Sequence, residues 1–430
     1  MGQLIRTITF GLNIYPEAPT HSAARIERLL SRCPELLEEH GLESRCLRLT
    51  CQPPHSMYQS TDAPVRAQAF ARAIEEIIAG RAWFCLPGPH YRTAAMPTSA
   101  LDAIPAVLSA TQNVFTHTLV SSPSGVHRGA IRKAGEVIAA LARLDDRCQA
   151  NFRFAVIANV QPGTPYFPAA YHDGADGFSI ALELSALMNQ CFLEGKLFNG
   201  KLREFEKQAE PYVRQVLNFA ERLEAAEGLE FKGIDFSLAP FPGDGTSAVQ
   251  AVESLNNTRI GNYEFLFSLY AVNNLLRQGF AHCPQVGYNG TMLSPLEDSC
   301  LAQRLSDEAF DLKDLLLYAC VCGCGLDMVP LPLETSPAKL ASLIEPVAAQ
   351  ASKWNKPLTV RLLPTTVNAD GMTHFEHDFL VNCKPLRLKN SDFADQIDVH
   401  SFFAPAISGA EPGSDELSYL PQMFQASRAG

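Results

Sequence analysis

Apolar and polar residues alternate along residues 5–14 (IRTITFGLNI), a period of two that predicts a strand. The period then changes. Ile26, Leu29, Leu30, Cys33, Leu36 and Leu37 fall three and four apart, which predicts a helix over 21–40. A second alternating run predicts a strand over 43–51. Residues 64–79 predict a helix, with Pro64 suited to its first turn and Gly80 to its stop. Further strands are expected at 83–86, 114–120, 152–160, 229–238 and 358–363. Helices are expected at 129–144, 262–276, 313–320 and 337–352, and across a long block at 178–226 broken near Gly195 and Gly200. The 313–320 helix leads into an extended run at 321–329, and 378–386 is also expected to be extended. Strands and helices in alternation predict an α/β fold. No repeat or low-complexity linker divides the chain. The expectation is one domain over residues 1–408 with the helical block inserted, then a loose tail at 409–430 rich in Gly, Pro, Ser and Glu.

Composition narrows the function classes. A chain of 430 residues can bury a large core without disulfides or metals. A hydrophobic share of 47% against 19% charged excludes a disordered chain. The formal charge is −11, from 46 acids and 35 bases with no long basic run, which argues against a nucleic-acid partner. It leaves room for a local cationic pocket. Residues 1–14 lack the charged and apolar regions of a signal peptide, and Arg6 stands where a myristoylation site wants Ser or Thr. The most apolar stretch, 315–333, carries Asp327, Pro330 and Pro332, so it reads as core and not as a membrane span. The expectation is a cytoplasmic protein without membrane or nucleic-acid partners. Its twelve cysteines are then reduced thiols, mostly packed as small hydrophobes.

Several segments have the residue types that chemistry needs. Residues 159–172 (NVQPGTPYFPAAYH) follow a strand and hold three prolines, so the loop is stiff and can fix polar groups; Asn159 and His172 are candidate ligands. In residues 233–245, Asp235 and Ser237 share one strand face, opposite Ile234, Phe236 and Leu238, which suggests a polar interior. Glu297 and Asp298 are candidate acid–base groups; acids in a first helical turn also suit the helix dipole. In Cys320-Val-Cys-Gly-Cys-Gly-Leu-Asp-Met328, extended backbone would point three thiols one way, and a thiol there is a candidate nucleophile or redox group. A fourth ligand and Cys-x-x-Cys spacing are both missing, so no metal is expected. His374-Phe-Glu-His-Asp378 matches no metalloenzyme spacing and reads as a solvated loop. Asp327 in so apolar a segment needs a partner or a task, and Arg361 in an apolar strand needs a carboxylate from the protein or a substrate.

Together these segments resemble the domain-of-unknown-function 711 family, which is similar in fold to pyruvate formate-lyase and the large subunit of ribonucleotide reductase. The resemblance is carried by IRTITFG at 5–11, NVQPGTPYFPAAYH at 159–172, GIDFSLAP at 233–240, SPLED at 294–298, CGCGLDM at 322–328 and RLLP at 361–364. It implies an α/β barrel of the glycyl-radical-enzyme type, pyruvate formate-lyase-like, with two half-barrels around a central loop. In those relatives the loop carries a cysteine that becomes a thiyl radical. By position relative to Gly325-Leu-Asp-Met328, Cys322 resembles the family's recurrent cysteine. The Arg-Val-x-Gly-Tyr/Phe loop that stores a glycyl radical has no match here, so the fold is expected without that chemistry.

Two functions follow as expectations, beside a third, a thiol-redox or metal-handling role for Cys320, Cys322 and Cys324. The first is a non-radical, thiol-dependent lyase or transferase acting on a small carboxylate metabolite. Cys322 would attack, Asp327, Glu297 and Asp298 would move protons, and Arg361, Asn159, His172, Asp235 and Ser237 would hold the substrate, with no cofactor. The second is a non-catalytic metabolite-binding or regulatory protein that kept the barrel, with Asp327 paired to Arg361 or Arg6. The resemblance implies a small amino-acid-sensing regulatory protein as a partner. The apolar helix at 262–276 can serve a homo-oligomer interface as easily as a core.

Overall fold

The computed structural model describes residues 4–92, 96–123, 125–144, 148–193 and 195–388; the tail expected at 409–430 lies outside the described residues. Eleven strands form one mixed sheet: β1 (Leu4–Leu12), β2 (Glu43–Ser44), β3 (Leu47–Cys51), β4 (Trp83–His90), β5 (Val114–Ser122), β6 (Gly125–Val126), β7 (Phe154–Ala158), β8 (Gly177–Leu182), β9 (Glu230–Asp235), β10 (Gly325–Pro332) and β11 (Leu358–Thr365). The main path runs β10-β11-β7-β5-β4-β3-β1-β8-β9, with β2 on β1 and β6 on β5.

The pairings divide this path into blocks. Strands β7, β5, β4, β3 and β1 are mutually parallel. At one end β11 joins β7 antiparallel and pairs in parallel with β10. At the other, β8 joins β1 antiparallel and pairs in parallel with β9. The two edge strands therefore run the same way. Residues 284–292 lie between them. Ile234 and Leu238 bridge in parallel to Gln285 and Thr291. On the far side the Gly323 N–H, just before β10, donates to Thr291 O at 2.6 Å. A Cβ on Gly323 would lie 2.7 Å from the Gly290 carbonyl carbon, so only glycine lets the two backbones meet. The sheet is thus barrel-like, with helices between its strands.

Both faces of the sheet are buried, which separates two cores by the period of two. On β3, Leu47, Leu49 and Cys51 face the helices. On β7, Phe154, Val156 and Ala158 do the same, while Ala155 and Ile157 join an inner cluster with Leu119, Ala181, Tyr288 and Cys324.

Residues 159–172 thread this interior, and their carbonyls find donors on the inward strand positions. Pro165 O accepts from Thr9 Oγ1 at 2.8 Å and Arg48 Nη1 at 3.4 Å. Pro168 O accepts from His117 Nδ1 at 2.6 Å and Cys85 Sγ at 3.0 Å, and Ala170 O from Thr50 Oγ1 at 3.0 Å. A buried irregular segment must satisfy each polar group, and prolines lower the number of N–H donors that need partners.

The helical block starts later than expected. Residues 177–182 form β8, and helices follow at Ser185–Leu193 and Phe198–Glu227. All of β8 is buried, so its apolar run has no alternation to mark it as a strand. Short helices at Ala103–Ala110 and Ala248–Asn256 were not anticipated. Among the described residues, no helix is long and apolar enough to cross a membrane.

Candidate functional site

A cavity of about 50 Å³ opens inside the barrel beside the tip of the threaded loop. Its walls combine Arg6, Arg45, Arg48 and Arg361 with Glu297, Asp327 and Cys324, and with Tyr166, Phe167, Trp83 and Phe152.

Three of these arginines have carboxylate partners. Arg6 Nη1 lies 3.2 Å from Glu183 Oε1, and Arg45 Nε 3.4 Å from Glu183 Oε2. Arg361 is held more closely. Its Nε and Nη2 both donate to Asp327, the latter at 2.7 Å, and Nη2 lies 3.3 Å from Glu297 Oε1. Burial works against the Arg361 charge, but Asp327 and Glu297 outweigh it and raise its pKa. Asp327 reaches this position through a β-bulge. The β10–β11 register shifts between Leu326 and Val329, and Met328 takes a φ of 51°. A bulge re-aims side chains in this way.

Arg48 differs. It is buried and its guanidinium lies 5.2 Å from the Trp83 ring centre and 5.0 Å from that of Phe167. Besides the loop carbonyl of Pro165 it contacts Cys46 Sγ at 3.3 Å, and it has no carboxylate partner among the described residues. The buried hydroxyl of Tyr166, on the loop tip, also has no hydrogen-bond partner among the described residues.

The three-thiol segment is not one extended face. Helix Leu312–Ala319 starts in a capping box between Asp311 and Asp314 and ends at Cys320; the strand resumes only at Gly325. The turn between them separates the thiols. Cys324 lines the barrel cavity, whereas Cys320 and Cys322 line a second cavity outside it. The Cys322 and Cys324 thiols, one residue apart, each shift the other's proton. The Cys324 thiol, with the Lys356 ammonium and backbone N–H groups, pulls Cys322 well below the usual thiol range despite its burial. The Cys322 thiol, burial and Asp327 push Cys324 well above it.

Of the residues singled out in the sequence, Asp327, Glu297 and Arg361 line the barrel cavity. Asp298 is elsewhere. It caps helix Ser299–Ser306 through Leu301 N–H at 3.0 Å, and also accepts from Ser247 Oγ at 2.5 Å and Val249 N–H at 3.1 Å. Asp235 accepts from the N–H groups of Ser237, Tyr288 and Asn289, and Ser237 Oγ accepts from Gly290 N–H at 3.2 Å. The pair fastens the 284–292 segment to β9. Burial raises the Asp235 pKa, and these hydrogen bonds oppose the rise. Asn159 Nδ2 donates to Asn355 Oδ1 at 3.0 Å. His172 packs against Gly11, where a Cβ would stand 2.6 Å from its Nδ1, and burial lowers its pKa. Neither Asn159 nor His172 lines the barrel cavity. Among the described residues, no group of three or more His, Cys, Asp or Glu side chains is placed to hold a metal ion.

The sequence reading missed Arg48 and Tyr166, and named Cys324 only as one of three thiols on a single face. Arg48 had the same signal that singled out Arg361, a lone arginine within an apolar strand (LRLTC).

Comparison with known proteins bears on these same segments. The model of the family described as Uncharacterised ACR (DUF711) matches residues 3–376. A UPF0210 protein of Pyrobaculum arsenaticum is 26% identical over 389 residues, covering 84% of each chain. One of Pelotomaculum thermopropionicum is 26% identical over 385 residues, 84% of this chain and 85% of its own. One of Methanocaldococcus jannaschii is 24% identical over 272 residues, 61% of this chain and 59% of its own. The family match spans the threaded loop, the cavity carboxylates and both central thiols, and the chain belongs to the DUF711 family.

Proposed function

We propose that the barrel interior binds a small carboxylate metabolite at Arg48, and that the Cys322–Cys324 pair acts on it as a non-radical lyase or transferase. One observation carries the reading: Arg48 is buried without a carboxylate partner among the described residues, and the unpartnered Tyr166 hydroxyl lines the same cavity. A buried unpaired charge and an orphan hydroxyl are both costly, and an anion with acceptor oxygens relieves both. The open space of about 50 Å³ fits about three to five water-sized groups, so the bound part is small.

The chemistry follows from the two sulfurs. The pair loses its first proton readily and holds its second, so its resting form has one proton and one negative charge. Cys324 faces the cavity and forms the Sγ–carbon bond with a carbonyl carbon of the substrate; its S–H proton passes to the Cys322 thiolate and the C=O π pair moves onto oxygen. Cys322 is then the base, and Cys324 takes the nucleophile's role that the sequence suggested for Cys322. Arg361, bonded to Asp327 and Glu297, braces these carboxylates and leaves the substrate to Arg48. Glu297 is the proton-transfer group, because its bond to Arg361 is the looser of the two. Asp298, Asp235, Ser237, Asn159 and His172 act in the framework.

Two antiparallel blocks around a threaded loop support the pyruvate formate-lyase-like reading of the barrel. The loop itself, NVQPGTPYFPAAYH, has no cysteine, and the thiols come from the wall. This favours chemistry without a radical.

Calorimetric titration with acetate, glyoxylate and pyruvate tests the anchor. Losing a hydrogen bond to a charged group costs about 1.5–3 kcal/mol, so Arg48→Met is expected to weaken binding at least about tenfold. Equal binding to Arg48→Met, or equal binding of the matching neutral amides, overturns the reading. The Cys324 thiol held protonated favours a second reading, a metabolite-binding protein without catalysis. That reading predicts carboxylate binding with no turnover, unchanged in Cys324→Ser.

A further inference from the structure

We propose that the second cavity, on the outer side of the barrel wall, is a thiol-exchange site for a small carboxylate-bearing disulfide, which oxidises Cys322 and Cys324 to an intrachain disulfide. This goes beyond the function proposed above: it needs the same two thiols, but not a carboxylate at Arg48.

The cavity measures about 220 Å³, over four times the inner one, and Tyr270, Asn273, Arg277, Cys320, Cys322 and Lys356 line it. It contains two cations and no acid. Lys356 Nζ donates to Ala319 O at 2.9 Å, and neither Lys356 nor the exposed Arg277 has a carboxylate partner among the described residues. Such a site attracts an anion, and Cys320 and Cys322 bring two thiols to it. Cys322 forms part of its inner wall, where the Lys356 ammonium favours the thiolate.

Cys324, next but one in the chain, lines the barrel cavity on the other side of the wall. Only Gly323 separates them in sequence. The Gly323 N–H is tied to Thr291 O, and Asn273 fixes both sides of the wall through Val321 O at 2.6 Å and Thr291 N–H at 2.5 Å. The wall therefore places Cys320 and Cys322 on the outer cavity and Cys324 on the inner one.

The exchange balances in two steps. The Cys322 thiolate attacks one sulfur of RS–SR, forming Cys322–S–S–R and releasing RS⁻, which solvent protonates. Cys324 then attacks the Cys322 sulfur, the Cys322–Cys324 bond forms, and the second RS⁻ leaves with the Cys324 proton. The two cysteines are oxidised by two electrons, and RS–SR is reduced to two RSH. In the disulfide form Cys324 no longer offers a thiol to the barrel cavity. A thiol entering the outer cavity reverses both steps.

The test uses the reduced full chain with oxidised glutathione as the anionic probe and 2-hydroxyethyl disulfide as the neutral one, read by peptide mapping. The wild type is expected to form the Cys322–Cys324 disulfide with oxidised glutathione, and Cys324→Ser to stop at glutathione attached to Cys322. Arg277→Gln changes only an exposed cation. It is expected to slow the reaction with oxidised glutathione by at least about threefold and leave the neutral probe unaffected. Modification of the half-buried Cys46, Cys300 or Cys320 with Cys322 untouched overturns the proposal. So does an unresolved mixed disulfide in the wild type, or equal Arg277→Gln rates with both probes. Disulfide formation without any carboxylate binding would leave this inference standing and remove the proposed function alone.

Discussion

Arg361 shows at the residue scale how a single charge organises the barrel cavity. It donates to both oxygens of Asp327 and reaches Glu297, all three being largely buried. Breaking such a group by removing one partner is far more damaging than removing a matched pair, because it strands charge away from water. Arg361→Leu should therefore cost about 3–5 kcal/mol in urea denaturation. The double variant Arg361→Leu/Asp327→Leu should cost clearly less, with only Glu297 left unpaired. Equal losses would mean that the arginine acts through packing against Phe152, 6.0 Å from its guanidinium, and not through charge. The need of Arg361 for a carboxylate was legible in the sequence, because an arginine in an apolar strand has few ways to exist. The split of Cys322 and Cys324 between two cavities was not. It depends on a turn, whereas the local pattern was read as a strand with all its thiols on one side.

At the scale of an element, the threaded loop depends on neutral histidines. Only one tautomer set satisfies its contacts. His117 Nδ1–H donates to Pro168 O, which leaves His117 Nε2 to accept from His90 Nε2–H at 2.9 Å. Burial depresses both, His117 to about 4. In the unfolded chain a histidine titrates near 6.5. The unfolded state then binds more protons between about pH 6.5 and about 4, so the contribution is complete above this window and is lost as pH falls through it. For His117 alone it amounts to at most about 3 kcal/mol. Urea midpoints measured across this window should fall more steeply with acid for the wild type than for His117→Gln; parallel curves would show that the ring is not buried neutral. The three prolines marked this segment as stiff. Its insertion was hidden because Thr9, Thr50 and His117 look like ordinary polar strand positions until five parallel strands bring them to one face.

For the whole molecule, closure of the sheet rests on backbone contact more than on a continuous ladder. The alternation of strands and helices was readable as α/β, but periodicity contains no information on pairing, so the antiparallel joins at β1·β8 and β11·β7 had no signature. Asp235 and Ser237 did carry a signal, polar groups on a buried strand face. Their partners turned out to be the N–H groups of the closing segment. Where that segment meets β10, Gly290 and Gly323 touch. A Cβ on Gly290 would stand 2.8 Å from Gly323 Cα, and one on Gly323 2.7 Å from Gly290 C and O. Backbone on both sides cannot step aside as a flexible side chain can, so alanine at either position must part the two edges. Overpacking of this kind costs about 1–3 kcal/mol. Gly200 is the matched control, since its Cβ would meet only Lys196 Cβ at 3.4 Å within a helix. Gly200→Ala should be neutral or stabilising by up to about 1 kcal/mol. Parting the edges also opens the wall that holds Cys322 and Cys324, so Gly290→Ala and Gly323→Ala should speed iodoacetamide labelling of both thiols while Gly200→Ala leaves it unchanged. Loss of stability with no change in labelling would mean that the strain spreads into the helices and that the seam itself stays closed.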